Sequence, residues 1–214
     1  MSARHINIAV MVSGHGRGSN LQAIIDACKD GRITGRVGVV IGTKADAPAM
    51  DRTRENGVPA VEVRPKEFAT DEEYAARILE VLAQHEVDLL CLAGYMRILP
   101  SEVVSAYRSR IMNIHPALIP LFCGEGMYGE HVHQAALDYG VKVSGCSVHF
   151  VDEEYDTGPI IVQKAVPVEE GDTPETLAAR ILVQEHKAYP EAIQLFAEGR
   201  LRVEGRVVHV QPPS

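Results

Sequence analysis

The sequence has no tryptophan, few aromatic residues and no excess of basic residues. Of its 214 residues 5% are aromatic, and 21 Lys and Arg stand against 29 Asp and Glu, for a formal net charge of -8. Proteins that bind nucleic acids through the phosphate backbone normally carry a positive footprint. Aromatic side chains supply the platforms on which bases stack. Both shortages therefore argue against a nucleic-acid partner.

Long hydrophobic runs and paired cysteines are also absent. The first apolar segment, Ile6–Val12, is too short to span a membrane, and no secretory cleavage pattern follows it. The cysteines form no C-x-x-C pair, which argues against a zinc ribbon or a redox motif; they are Cys28, Cys91, Cys123 and Cys146. We therefore expect a cytoplasmic protein with reduced thiols and no membrane contact.

Apolar segments of strand length alternate with helical patterns through the first half of the chain. Strands are predicted over residues 6–12, 37–41, 60–63, 88–93 and 111–115, and helices over 21–28, 46–56 and 71–85. Ser19 or Asn20 is the predicted cap of the first helix. This alternation predicts an α/β, Rossmann-like, mostly parallel sheet with helices on both faces.

The second half of the sequence has a different rhythm. Two strand-like segments, 141–151 and 159–168, flank an acidic turn, and they predict antiparallel additions to the sheet. A long helix over 173–198 follows, with a kink or break expected at Pro190, and then a hairpin over 201–210. Without a linker or an internal repeat, residues 1–214 are predicted to form a single domain.

A glycine-rich loop, SGHGRGSNL at residues 13–21, joins the first strand to the first helix. Such a loop lies at the carboxyl edge of a parallel sheet, and free N–H groups at a helix start favour anions. The loop matches neither the Walker A pattern nor a strict G-x-G-x-x-G. The sequence predicts a phosphate-binding loop, with a merely tight turn as the alternative.

Asn113 and His115 are two residues apart on a predicted strand and therefore share one face. Pro116 ends that strand, which places the pair at its carboxyl end. An amide N–H beside an imidazole can stabilise a developing oxyanion, and the imidazole can transfer a proton near neutral pH. A strand end with two satisfied polar groups is the alternative.

Four carboxylates lie in the turn DEEYDTG at residues 152–158. A carboxylate next to His115 would raise the pKa of the imidazole and orient it. No sequence rule brings Asp156 to His115, and a solvated acidic loop is the alternative.

His131 and His133, with His149 further along, could bind a metal. No carboxylate or cysteine falls at a matching spacing, so we expect no metal site.

Five segments in order resemble the folate-dependent phosphoribosylglycinamide formyltransferase family, and the resemblance runs nearly end to end. They are GSNLQAI at 18–24, LAGYMRIL at 92–99, NIHPALIP at 113–120, GCSVHFV at 145–151 and DTGPII at 156–161. Each segment alone is weak, whereas all five at the family's spacing are specific.

The resemblance implies transfer of the formyl group of 10-formyltetrahydrofolate to the amino group of glycinamide ribonucleotide, without a metal. It implies that Asn113 donates to the oxyanion, that His115 stabilises the oxyanion and moves protons, and that Asp156 raises the pKa of His115. Both partners would be small molecules, and the protein would be a monomer or a homodimer.

The resemblance also implies the binding residues. The ribonucleotide would contact Gly18, Ser19, Asn20 and Glu185. The folate would contact Met96, Arg97, Ile98, Leu99, Asn113, Asp152, Glu153, Glu154 and Tyr155. We also expect the part up to about residue 110 to bind the ribonucleotide phosphate, and the part from about residue 111 to supply catalysis and folate binding in addition to the folate contacts at 96–99.

Three features depart from the family pattern. The glycine-rich loop is longer than in some members through His15, Gly16 and Arg17, and we therefore hypothesise that Arg17 adds a phosphate contact. Some members contact the folate tail through an arginine at the position where this chain has Asp71, and the loop 123–129 is longer than usual and has no assigned role.

Related enzymes with the same Asn-x-His…Asp pattern are the alternatives: a formyltetrahydrofolate hydrolase or a formyltransferase acting on tRNA. We expect neither, because 214 residues leave no room for the extra domain that each carries. A non-catalytic nucleotide-binding module would leave Asn113, His115 and Asp156 without a common purpose.

Overall fold

The computed structural model describes residues 4–14 and 16–213, so His15 of the glycine-rich loop lies outside the described residues. The strands found there are Ile6–Val12 (β1), Gly35–Gly42 (β2), Ala60–Glu62 (β3), Leu89–Leu92 (β4), Ile111–His115 (β5), Val143–Phe150 (β6), Ile160–Pro167 (β7), Leu201–Glu204 (β8) and Val207–Val210 (β9). The helices are Ser19–Lys29 (α1), Pro48–Glu55 (α2), Asp71–Gln84 (α3), Ser101–Ala106 (α4), Glu130–Tyr139 (α5) and Pro174–Ala197 (α6).

The strands form one sheet in the order β3-β2-β1-β4-β5-β6-β7-β9-β8. Pairing is parallel from β3 to β5 and antiparallel from β5 through β6 to β7. This confirms the predicted mostly parallel sheet with antiparallel additions in the C-terminal half. The predicted hairpin of β8 and β9 also forms, and it joins the sheet through a parallel contact between Ile160 and Val207.

Helices cover both faces of the sheet, as the alternation in the sequence predicts. On β1, Ile8 and Val10 point into a core that is completed by α1, α2, α5 and α6. Ala9 and Met11 point the other way, into a core built with α3 and α4. Because both faces of the parallel strands are buried, β1 and β4 consist almost entirely of apolar residues.

The start of α1 corrects the predicted cap. Ser19 and Asn20 are the first residues inside the helix, and the position before them is Gly18, with φ 71° and no side-chain cap. A Cβ on Gly18 would lie 2.9 Å from Cα of Ala49. Close packing of the loop against α2 therefore requires glycine before the helix, and Ser19 and Asn20 lie inside its first turn instead of capping it.

Of the kink or break predicted at Pro190, the break is wrong, because α6 runs without interruption from Pro174 to Ala197. Proline removes one helical hydrogen bond. The neighbouring Tyr189 is fully buried, and its hydroxyl lies 2.9 Å from the carbonyl oxygens of both Leu92 and Met112. Packing of α6 against the sheet therefore holds the helix together through the proline.

Of the helices in the described part of the chain, none has the length and apolar character that a membrane span requires.

Candidate active site

A cleft opens where the parallel strands β4 and β5 end, which is the edge at which α/β sheets bind ligands. The loop after β4, the last residues of β5, the acidic turn and the 123–129 loop all line this cleft. Asn20 and Glu185 close it on one side. The cleft therefore gathers residues from both halves of the chain.

Asn113 and His115 lie on the same face of β5, as their spacing predicts. Both line the cleft, and His115 is 4% exposed while Asn113 is half-buried. The strand ends at His115, so the pair sits at its carboxyl end.

Asp156 joins this pair, which the sequence could not establish. Its Oδ2 atom lies 3.5 Å from Nδ1 of His115, and its Oδ1 atom accepts a hydrogen bond of 3.3 Å from Nδ2 of Asn113. The turn that carries it presses against β6, because a Cβ on Gly158 would lie 1.8 Å from the carbonyl oxygen of Phe150. Asp156 itself has φ 55°, a conformation that Asp adopts more readily than most residues.

The loop after β5 contacts the same two groups. The Nε2 atom of His115 donates to the carbonyl oxygen of Phe122 at 2.7 Å, and the N–H of Gly124 donates to Oδ2 of Asp156 at 3.0 Å. Further along this loop, Met127 and Tyr128 line the cleft. The 123–129 loop, to which the sequence assigns no role, is thus part of the site.

His149 also belongs to the site, whereas its sequence pattern suggested only a possible metal ligand. Its Nε2 atom lies 3.3 Å from Nδ2 of Asn113 and 3.5 Å from Oδ1 of Asp156. Its Nδ1 atom donates to the carbonyl of Phe150 at 2.7 Å. Asn113 and His149 face each other in the antiparallel pairing of β5 and β6. This strand register brings His149 into the site, and no local pattern in the sequence reveals it.

No three His, Cys, Asp or Glu side chains form a potential metal cluster in residues 4–14 and 16–213. His131 instead packs edge-on against the ring of Tyr128, and His133 is buried in α5.

Burial and charge shift the pKa values of the central pair. Burial lowers the pKa of His115 more than the carboxylate of Asp156 raises it, so the net shift is downward. Asp156 does raise the pKa of His115, as the resemblance implies, but burial sets the net direction of the shift. Burial raises the pKa of Asp156, but hydrogen bonding to His149, the charge of His115 and the N–H of Gly124 lower it further, so it stays below its usual value. The site thus favours a neutral imidazole beside a carboxylate at neutral pH.

The glycine-rich loop ends beside a buried carboxylate. Nδ2 of Asn20 donates to Oε2 of Glu185 at 2.6 Å, and Glu185 is 8% exposed. Burial raises the pKa of Glu185, although the hydrogen bond from Asn20 opposes the shift. Oδ1 of Asn20 is buried and has no partner within the described residues. Ser19 and Asn20 also carry N–H groups of the first helical turn, which have no acceptor inside the helix.

Arg17 is exposed, and its carbonyl accepts a hydrogen bond of 2.7 Å from Nε of Arg52. Within the described residues its side chain has no recorded hydrogen bond or ion pair.

The predicted folate residues fall into two groups. Met96, Arg97, Ile98 and Leu99 line the cleft, as do Asp152, Glu154 and Tyr155. Glu153 does not line it; its exposed carboxylate pairs with Arg108. Glu153 is therefore the predicted folate residue whose side chain the structure places outside the cleft.

Comparisons with known proteins point to one family. Residues 6–193 match the formyl transferase family model. The chain is 43% identical over 198 residues to the phosphoribosylglycinamide formyltransferase of Escherichia coli (strain K12), covering 92% of this chain and 90% of the relative. It is also 43% identical over 200 residues to the chloroplastic phosphoribosylglycinamide formyltransferase of Arabidopsis thaliana, covering 93% of this chain and 68% of that one.

Solved structures agree as well. Glycinamide ribonucleotide transformylase 1 from Symbiobacterium toebii superposes with a TM-score of 0.91 at 50% identity, covering 97% of this chain and 95% of the other. Since the family model and these relatives span nearly the whole chain, it belongs to the formyl transferase family, among the phosphoribosylglycinamide formyltransferases.

Proposed function

We propose that this chain transfers the formyl group of 10-formyltetrahydrofolate to the amino group of glycinamide ribonucleotide, giving formylglycinamide ribonucleotide and tetrahydrofolate for purine biosynthesis. One observation carries the proposal. An amide donor, an imidazole and a carboxylate (Asn113, His115 and Asp156) meet at one end of a cleft whose side wall is formed by Asn20 and Glu185.

The first step is attack of the substrate amine on the formyl carbon. The carbonyl π pair moves onto oxygen, and a tetrahedral intermediate forms with a negative oxygen and a positive nitrogen. Nδ2 of Asn113 is the proposed donor to that oxygen. Its two present contacts, to Asp156 and His149, are both 3.3 Å and therefore weak, so an N–H can turn to the stronger acceptor.

The second step moves one proton between two nitrogens. His115 accepts a proton from the attacking nitrogen and delivers it to N10 of the folate, whose bond to the formyl carbon breaks as the carbonyl re-forms. The downward-shifted pKa keeps the imidazole neutral and ready to accept at neutral pH. Asp156, 3.5 Å away, stabilises the imidazolium that forms briefly.

The ribonucleotide is proposed to bind at the start of α1. The N–H groups of Ser19 and Asn20, with the backbone of Gly18, would receive the phosphate. Glu185 would accept hydrogen bonds from the ribose hydroxyls, and Arg17 would add a positive charge next to the phosphate. Local N–H groups and this arginine would thus offset the net charge of -8.

The folate is proposed to bind between the 96–99 segment, with Met96, Arg97, Ile98 and Leu99, and the acidic turn. In that turn Asp152, Glu154 and Tyr155 face the cleft, and Glu153 would contribute through its backbone at most. The proposed site therefore uses residues on both sides of position 110.

We further propose a cytoplasmic protein, organised as one domain and working as a monomer or a homodimer. Cell fractionation tests the compartment, and analytical ultracentrifugation tests the oligomeric state.

The deciding assay mixes the full chain with glycinamide ribonucleotide and 10-formyltetrahydrofolate and follows release of tetrahydrofolate. We expect release that requires the ribonucleotide, with stoichiometric formylglycinamide ribonucleotide by mass spectrometry. Release without the ribonucleotide would identify a hydrolase instead. Binding of both ligands without release would identify a non-catalytic module.

A further inference from the structure

Two buried tyrosine hydroxyls connect α3 to the folate side of the cleft. The hydroxyl oxygens of Tyr74 and Tyr95 lie 3.0 Å apart, and the two residues are 2% and 7% exposed. Within the described residues, each hydroxyl has the other as its recorded hydrogen-bond partner. Burial raises the pKa of Tyr95, and likewise that of Tyr74, so both remain neutral hydroxyls in the physiological range.

Tyr95 directly precedes the 96–99 segment, and this segment lies between two cavities. One side of that segment faces the cleft, and the other side faces a second hollow lined by Tyr74 and Tyr155. The middle of the segment has little support, since Met96 is 44% and Ile98 is 48% exposed. Its two ends are buried, at Tyr95 and at Leu99, which is 3% exposed.

We propose that the hydrogen bond between Tyr74 and Tyr95 sets the position of the 96–99 segment and thereby the affinity for the formyl-folate donor. Tyr74 is thus a positioning residue, acting through Tyr95, and its effect falls on one of the two substrates. The inference rests on the proposed function, because it assigns the folate to this side of the cleft.

A buried hydroxyl that loses its hydrogen-bond partner carries a free-energy penalty. When one member of a buried pair becomes phenylalanine, the other hydroxyl loses its partner and pays the full desolvation penalty. The hydroxyl of Tyr95 can regain water only by moving toward the cleft or the second hollow, and that movement displaces Met96. When both members become phenylalanine, no buried polar group is left to move, and the segment can return.

The test is a double-mutant cycle of Tyr74→Phe, Tyr95→Phe and the double variant, measured with both substrates. Each single variant is expected to raise KM for the formyl folate about three- to tenfold, with kcat and the ribonucleotide KM within about twofold of the original. The double variant is expected to lie closer to the original protein than either single variant.

Tyr107→Phe is the matched control. Tyr107 is also buried in the core with α3 and α4, and its hydroxyl donates to the carbonyl of Val87 at 3.3 Å, but it does not line the cleft. It reports the effect of losing one buried hydroxyl on stability alone, and it should leave the folate KM unchanged.

Three results would overturn the proposal: an unchanged folate KM in Tyr74→Phe, equal changes for both substrates, or the same folate change in Tyr107→Phe. Calorimetric binding of tetrahydrofolate to each variant gives the same comparison without turnover. A protein that binds tetrahydrofolate in a pair-dependent way but transfers no formyl group would disprove the proposed function and leave this inference standing.

Discussion

The cleft has two walls that are built on opposite principles. The proposed catalytic wall holds Asn113, His115, His149 and Asp156, and the proposed folate wall is the 96–99 segment. The catalytic wall holds polar side chains in the interior: His115 and His149 are 4% and 2% exposed, and both lie within 3.5 Å of Asp156. The folate wall leaves apolar side chains in solvent, with Met96 and Ile98 almost half exposed. Buried polar groups must be paired, and pairing fixes their geometry. Exposed apolar groups gain free energy only when a ligand covers them.

This contrast separates the expected effects of substitutions. Changes to the catalytic wall should reduce kcat, since its groups are oriented before substrate arrives. Changes to the folate wall should raise KM, since its contacts form on binding.

His115→Ala should have the largest effect. Removing the proton carrier is expected to reduce kcat by about 10²- to 10⁴-fold while the ribonucleotide still binds. Steady-state kinetics and calorimetry measure the two quantities. His209→Ala, an exposed histidine on β9, is the control. Near-normal turnover in His115→Ala would remove this residue from the mechanism.

Asp156→Asn should come next, with a loss in kcat of about 100-fold. Asparagine tolerates the φ of 55° at this position, so the turn is expected to persist. The carboxylate raises the pKa of His115 against the effect of burial, so its loss lowers that pKa further. Because the neutral imidazole is the active form, the acidic limb of the kcat/KM profile should move to lower pH. An acidic limb that remains at the original pH would show that Asp156 does not act through His115.

Glu185→Gln tests the ribonucleotide side, with an expected rise in the ribonucleotide KM of roughly tenfold. Burial raises the pKa of Glu185, so the folded state favours the protonated form and loses stability as pH rises through that pKa. Glutamine keeps an acceptor for Asn20 without the charge. The Tm of the variant should therefore equal or exceed the original above neutral pH, and the difference should shrink toward pH 4.

A lower Tm for Glu185→Gln at all pH values, with an unchanged ribonucleotide KM, would instead make Glu185 a structural residue.

Ile98→Ala should have the smallest effect, and it tests the contrast between the two walls most directly. It should raise the folate KM about three- to tenfold, through lost apolar contact. Its stability should change by less than about 0.5 kcal/mol, because the side chain is already exposed. Val210→Ala, 45% exposed on β9, is the control for loss of an exposed aliphatic group. A large drop in Tm for Ile98→Ala would place it in the core rather than the binding wall.

Local signals in the sequence determined most of the secondary structure. Apolar periodicity located the strands and most helices, and the continuous apolar run of β1 indicated a buried strand. The errors arose where tertiary packing overrode a local rule. Pro190 continues a helix because the sheet beneath α6 supports it, and Gly18 rather than a polar cap precedes α1 because α2 packs against it.

The same distinction between local sequence signals and tertiary packing applies to the candidate active site. The sequence by itself determined that Asn113 and His115 share one face at a strand end, because alternation along a strand is a local property. Only the tertiary structure decided that Asp156 reaches them, that His149 completes the group and that Glu153 points away. Those three outcomes depend on the register of β5 with β6 and on a turn pressed against Phe150. Strand register and turn packing join residues distant in sequence, and no local pattern encodes them.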